Sequence, residues 1–341
     1  KSLGIFKKVN TEIKDGSDNS LKIIDIDIEE RPSGEISLSA GFGTTGEIIG
    51  AGIREKNFLG KGINLNTNVE ITPESLKGRF VYAKPNFNNT DNTLFTSIKS
   101  STNDLLTDSG YKTSELGFSL GTKFEQFQNI FLSPEIDFLV EDLETSDKAS
   151  SVLKKQEGSY TDLYFNYTIN QDLRDRKFGT ESGYQTYFSQ EIPVISDNSE
   201  FANSFEISKY KKLSTRSNSV GKISFYAKTI TGLSDDVRIS KRLNIPTKKL
   251  RGFQKGRVGP VDNKDYVGGN HVSALNLSAT LPNLFEGLEN LDIGVFFDAA
   301  NIWGVDYNSS LDNSKIRSST GIGLNVLTPV GPLSFSLTQP I

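Results

Sequence analysis

The side chains best suited to chemistry gather in LRGFQKGRVGP, residues 250–260, where Arg251 stands between Leu250 and Gly252, Phe253 follows, and Lys255 and Arg257 come next. A guanidinium presents a planar fork of donors that fits a carboxylate. Gly252 lets the backbone turn sharply beside it, and Phe253 gives the segment an apolar side chain to bury. The other candidates carry less. His271 is the one histidine in the chain; a hydrolase would need a serine and an acid converging on it, and a strand-start residue near an interface accounts for it more simply. Asp142, Glu144 and Asp147 lack the spacing of a calcium loop. Gly50 and Gly52, or Gly60 and Gly62, are followed by no helical pattern and so make no phosphate-binding loop. Asp172, Arg174, Asp175, Arg176 and Lys177 lie in QDLRDRKFGTESG (171–183), which reads as a solvated turn before it reads as a cation or partner site. With no cysteine, thiolate metal sites and disulfides are excluded. No metal and no cofactor is implied.

The elements that must hold these residues are strands. From Gly34 onward the pattern has a period of two. GEISLSAGF sets Ile36, Leu38, Ala40 and Phe42 on one face and Ser37, Ser39 and Gly41 on the other. The same alternation places Ile223, Phe225, Leu275, Leu277, Ile293 and Val295 on an apolar face, with Ser224 and Asn276 opposite. In LDIGVFFD, Leu291, Ile293, Val295 and Phe297 go one way and Asp292, Gly294, Phe296 and Asp298 the other. Fifteen such segments are expected between residues 34 and 339. A soluble sandwich also alternates. Two features favour a membrane barrel: strands of about 9–11 residues, and connections that alternate between short and long. EKNFLGKG, EQFQ, STRSNS and TPVGP are short, whereas residues 139–158 and 232–269 are long. The expected fold class is therefore all-β, a transmembrane antiparallel β-barrel.

No apolar run approaches the ~20 residues a membrane helix needs. A barrel escapes that test, because its strands are only half apolar. Lys and Arg number 38 against 42 Asp and Glu, a net charge of −4, which gives no reason to expect nucleic acid. No methionine is present, even at position 1, which leads to the expectation of a mature or trimmed chain without its signal peptide. Residues 1–32 differ from the rest: FKKVNTEI and LKIIDIDIEE alternate around DGSDNS, and RPSG marks a boundary. The expected division is a small α+β unit's tail at 1–32 and the barrel at 33–341. An odd strand count cannot close antiparallel, so a sixteenth strand is expected beyond Ile341. Trp303, expected just past its strand, suits an interfacial anchor.

Several segments, in order along the chain, together resemble one family, the BamA outer-membrane protein assembly factors: LRGF (250–253) like a motif of the family's sixth extracellular loop, FFDAANIW (296–303), EKNFLGKG (55–62), IRSSTGIGLNVLTPVGPLSFSLTQP (316–340), and SLGIFKKVNTEI to EERPSGEISLSAGF like the end of a POTRA domain entering the first barrel strand. The resemblance implies that loop six folds into the lumen and that Arg251 reaches Asp298. On the residues alone, an exposed loop arginine and a solvated acid account for them equally well. It also implies a sixteen-stranded barrel in the cell outer membrane, an N-terminal part in the periplasm, no enzyme activity, and a role in folding and inserting barrel proteins. The partners implied are unfolded outer-membrane clients, periplasmic lipoproteins and outer-membrane lipid. The seam strand of residues 34–42, with Ile36, Leu38, Ala40 and Phe42, would template the incoming strand. The rivals are a related pore that exports a passenger protein and a diffusion porin. The connections suggest a thin lid over the barrel.

Overall fold

The computed structural model describes residues 5–18, 20–43, 46–177, 179–214, 219–282, 291–328 and 331–341. The turns expected at 214–219 and 328–332 lie largely outside the described residues. Strands β1 (Phe6–Asp15) and β2 (Lys22–Glu30) form a separate antiparallel hairpin. Then come β3 (Gly34–Gly43), β4 (Gly46–Phe58), β5 (Ile63–Thr72), β6 (Ser75–Lys84), β7 (Thr93–Leu105), β8 (Tyr111–Phe127) and β9 (Ile130–Thr145). A short helix, α1 (Ser151–Lys154), precedes β10 (Gly158–Asp172), β11 (Gly183–Ser196), β12 (Glu200–Lys212) and β13 (Val220–Gly232). A small hairpin, β14 (Val261–Asp262) with β15 (Asp265–Tyr266), sits inside the long connection. The chain ends with β16 (His271–Pro282), β17 (Leu291–Trp303), β18 (Arg317–Thr328) and β19 (Gly331–Pro340).

Fifteen of these strands make one antiparallel sheet in the order β3-β4-β5-β6-β7-β8-β9-β10-β11-β12-β13-β16-β17-β18-β19. Each neighbour follows its predecessor in the chain, so the sheet is a meander. Its two edge strands, β3 and β19, are not hydrogen-bonded to each other among the described residues. No described helix is long and apolar enough to cross a membrane, which says nothing about crossing by strands.

The two faces are what the period of two dictates. Ile223, Phe225, Leu275, Leu277 and Val295 are exposed, and Ile293 is half-buried on the same face. Their neighbours Ser224, Phe296 and Asp298 are buried on the other. Apolar side chains bare on the outside and polar ones covered inside are the reverse of a water-soluble sheet, and fit a wall facing hydrocarbon.

What covers the inner face is the connection from Leu233 to Asn270. Its Val237, Leu243, Ile245 and Leu250 pack on Ala202, Ile230, Val272, Ala274, Ala300 and Ile302 of the wall. Its Ile239 and Val267 join a second cluster with Tyr111, Leu143, Leu153 and Val305. The lid is therefore not thin, contrary to the sequence expectation: the loop is a packed core in its own right. The alternation of loop lengths is also less clean than expected. The tight β5–β6 turn lies at the same end as the long connection, and the ten-residue span between β10 and β11 lies at the other.

Candidate functional site

Arg251 leaves the long loop and grips Asp298 with both arms of its fork. Nε donates to Oδ2 at 2.7 Å and Nη2 to Oδ1 at 2.8 Å. The Arg251 backbone N–H also donates to Oδ2 at 3.2 Å. Asp298 is fully buried in β17, so its charge needs these donors. The strands supply another: Asn276, directly opposite on β16, donates to Oδ1 at 2.8 Å and to the Lys249 carbonyl at 2.8 Å. Asn276 thus ties the loop backbone to the carboxylate it feeds. A lysine at Asn276, which strand parity alone would rate as tolerated, would remove that donor.

Phe296, two residues before Asp298, forms the platform. The Arg251 guanidinium carbon sits 3.3 Å from its ring centroid, a cation–π contact. Gly321 of β18 makes room for the ring, since a Cβ there would lie 2.6 Å from Phe296 Cζ. Gly252 has φ +84°, and a Cβ on it would lie 2.6 Å from Thr338 Cγ2 of β19. Here the glycine is required twice, by dihedral and by space. Phe253 packs partly buried against the inner-wall cluster. The arginine motif therefore reaches β16, β17 and β19 at once.

Sequence reasoning missed a second, deeper anchor. Arg238 is fully buried. Its Nη2 lies 2.6 Å from Asp162 and 3.0 Å from Glu200, and its Nη1 lies 3.5 Å from Glu141. Its backbone N–H donates to Glu200 Oε1 at 3.2 Å, and Tyr160 lies under the guanidinium at 4.4 Å. Lys241 adds a second cation 3.5 Å from Glu141. Part of the signal was available: Asp162 and Glu200 fall at inward positions of β10 and β12, and buried carboxylates require cations, but Glu141 lies past the expected end of β9.

Further latches follow along the loop. Arg242 pairs with Asp306 and donates to Asn270 Oδ1 at 3.0 Å. Burial alone would push the Asp306 carboxyl up, but the Val237 N–H, the Asn270 amide and the Arg242 guanidinium hold it below the ordinary aspartate value of 3.8. Arg257 Nε donates to Asp108 Oδ2 at 2.9 Å, and Lys249 pairs with Glu206. Arg238 links β9, β10 and β12, Arg251 reaches β17, and Arg257 reaches the turn after β7, so the sheet must curl around the loop.

Ile36, Leu38 and Phe42 are exposed at 80%, 83% and 85%, and Ala40 is exposed with them. Ser37 and Ser39 on the other face of β3 are exposed too, which marks β3 as bare on both faces. His271 stacks on Trp303, ring centroids 5.6 Å apart, and Trp303 is the last residue of β17 rather than beyond it. Asp172 takes the Arg174 fork at 2.8 Å within its own turn. No group of acids or histidines among the described residues is arranged to hold a metal ion.

A match to the Omp85 superfamily domain covers residues 57–341. The outer membrane protein assembly factor BamA of Neorickettsia risticii (strain Illinois) is 24% identical over 355 residues, covering 100% of this chain and 47% of the relative. The chain thus spans about half the length of that relative. Among solved structures, BamA from Haemophilus ducreyi lacking POTRA domains 1–3 superposes with a TM-score of 0.86 at 22% identity, over 100% of this chain and 73% of that one. CdiB from Escherichia coli gives 0.66 at 14% identity, over 100% of this chain and 65% of that one. Such a chain resides in the outer membrane, which its strands cross. It belongs to the Omp85 superfamily.

Proposed function

We propose that this chain is the barrel part of a factor that folds β-barrel proteins and inserts them into the outer membrane, and that the seam strand β3, where the barrel wall begins, is where it works. The observation that carries the reading is β3 itself, an edge strand of the described sheet whose two faces are both bare. An unfolded strand cannot enter hydrocarbon with open N–H and C=O groups. A free strand edge offers those groups partners in advance, by β-augmentation. No covalent chemistry is required. The packed loop also supports the reading: a lumen filled by Leu243, Ile245 and Leu250 is unsuited to free diffusion. In this reading Arg251, Gly252, Phe253 and Asp298 hold the loop down beside the seam, and Ile36, Leu38, Ala40 and Phe42 carry the templating edge.

Residues 1–32 belong, in the same proposal, to the end of a periplasmic POTRA domain. Ile13, Ile24, Ile26 and Ile28 of β1 and β2 are all exposed, as expected of a hairpin that contributes to a larger unit. Clients would be unfolded outer-membrane proteins, with periplasmic lipoproteins as accessory partners.

The test uses the absence of native cysteine. A cysteine at Ser39 of β3 is then unique, and a client barrel carries one cysteine in its last strand. During insertion a disulfide-linked adduct should form at β3 and at no position on β8. Efficient insertion with no adduct at any β3 position would refute templating at this edge.

A further inference from the structure

The outer wall carries a trough of about 600 Å3 across β12, β13, β16 and β17. Its floor is two small residues in register, Gly221 and Ala279. Leu213 folds over the first so closely that a Cβ on Gly221 would lie 2.9 Å from Leu213 Cδ2. The other side is a cross-strand row of Ile223, Leu277 and Phe297, all exposed. At the head of the trough stand Lys209 and Lys211. They share this outer face because Lys209 pairs with Ile223 and Lys211 with Gly221. The adjacent Lys212 is taken by Glu181 at 3.4 Å, whereas no carboxylate stands within ion-pair distance of Lys209 or Lys211 among the described residues.

Depth along the strands orders these parts. Lys209 and Lys211 lie three residues and one residue from the end of β12 at Lys212. Phe297 lies six residues inside β17 from Leu291, at the same end of the sheet. The charged head is therefore at the water interface, and the trough runs from it into hydrocarbon. All four strands are paired on both sides, so no backbone group is free here to receive a polypeptide. An acyl chain has no N–H or C=O to satisfy and needs none.

We propose that this trough is a binding site for one anionic phospholipid, its phosphate held by Lys209 and Lys211 and an acyl chain lying over Gly221 and Ala279. Two lysines with no carboxylate partner among the described residues, on a lipid-facing wall, supply the complementary charge, and the small-residue floor supplies the shape. The end concerned is opposite the long loop and is where the chain passes from β2 into β3. On the periplasmic placement proposed above for residues 1–32, this end meets the leaflet facing the periplasm. The site rests on the outer-membrane location and not on the assembly role.

The test is native mass spectrometry of the full protein in detergent, with phosphatidylglycerol or phosphatidylcholine of identical acyl chains added. The parent should retain one phosphatidylglycerol in clear preference to phosphatidylcholine. Lys209→Gln with Lys211→Gln should lower that retention by about tenfold or more, with phosphatidylcholine unchanged. Ala279→Phe, which fills the floor and leaves the charges, should lower it as well. Heat-dependent mobility on gels confirms that each variant is folded. Equal retention in parent and double variant, or no preference between the two lipids, would overturn the proposal and leave the lysines as plain interface anchors. Neither substitution touches the seam, so that outcome would leave the templating reading standing.

Discussion

At the scale of residues, the two arginine anchors differ in depth, and their variants should differ accordingly. Arg251 is 32% exposed while Asp298 is fully buried. Arg251→Ala should cost about 3 kcal/mol, the low end for breaking a buried pair, because lumen water partly repairs it. Arg238 is at 0% exposure with Asp162 and Glu141 at 0% and Glu200 at 1%. Arg238→Met strands three carboxylates and should cost more than Arg251→Ala; urea titration of heat-modifiable mobility would rank them, and the reverse order would contradict the burial argument. Acid provides a separate probe. The folded Asp306 is held below its ordinary value, so it stabilises the loop at neutral pH, and that contribution is lost as pH falls through the folded value. Asp306→Asn should remove this acid-dependent part while leaving the rest of the unfolding profile in place. Asp298 was legible as an inward acid from strand parity; Arg238 was not, because a loop cation has no periodicity to announce which carboxylates it meets.

At the scale of elements, the outward and inward faces should respond oppositely to a buried charge. Leu275→Lys and Ile98→Lys put an ammonium on the lipid side near mid-strand, at a cost of roughly 2–4 kcal/mol. Ser101→Lys lies on the inner face between Glu115 of β8 and Lys77 of β6, one neighbour of each sign, and should cost less than about 1 kcal/mol. Similar losses at all three would mean the register is wrong. Sequence period recovered every strand of the large sheet because lipid on one side and polar residues on the other enforce alternation. It placed some ends too early. β8 continues to Phe127 and β9 to Thr145, where Lys123, Glu125, Glu141 and Glu144 interrupt the apolar pattern. Those residues still pair, because a ladder needs only backbone groups.

At the scale of the whole molecule, the wall and its filling obey different rules. The wall repeats, so it could be read in advance. The filling is irregular backbone, and Val237, Ile239, Leu243, Ile245 and Val267 look like scattered loop hydrophobics until the fold gathers them into two clusters. That gathering predicts electrical behaviour. In a planar bilayer the parent should conduct weakly, and the double variant Arg238→Met with Arg251→Ala should open larger and more frequent current steps. An unchanged trace would mean that the apolar clusters alone keep the lumen shut.

The close approach of Gly252 to Thr338 makes the two ends of the described ladder mechanically unequal. A load on β19 passes through Thr338 to the loop, from Arg251 into Asp298, and so into the third strand of the ladder from that edge. Among the described residues β3 has no such strut: Ser37 and Ser39 on its inner face are bare, and its bonds to β4 run past Gly50 and Gly52. One end of the described ladder is stiff and the other compliant. If β3 templates incoming strands as proposed, the strain of admitting one will concentrate in β3 itself, while the braced far end of the ladder holds its shape.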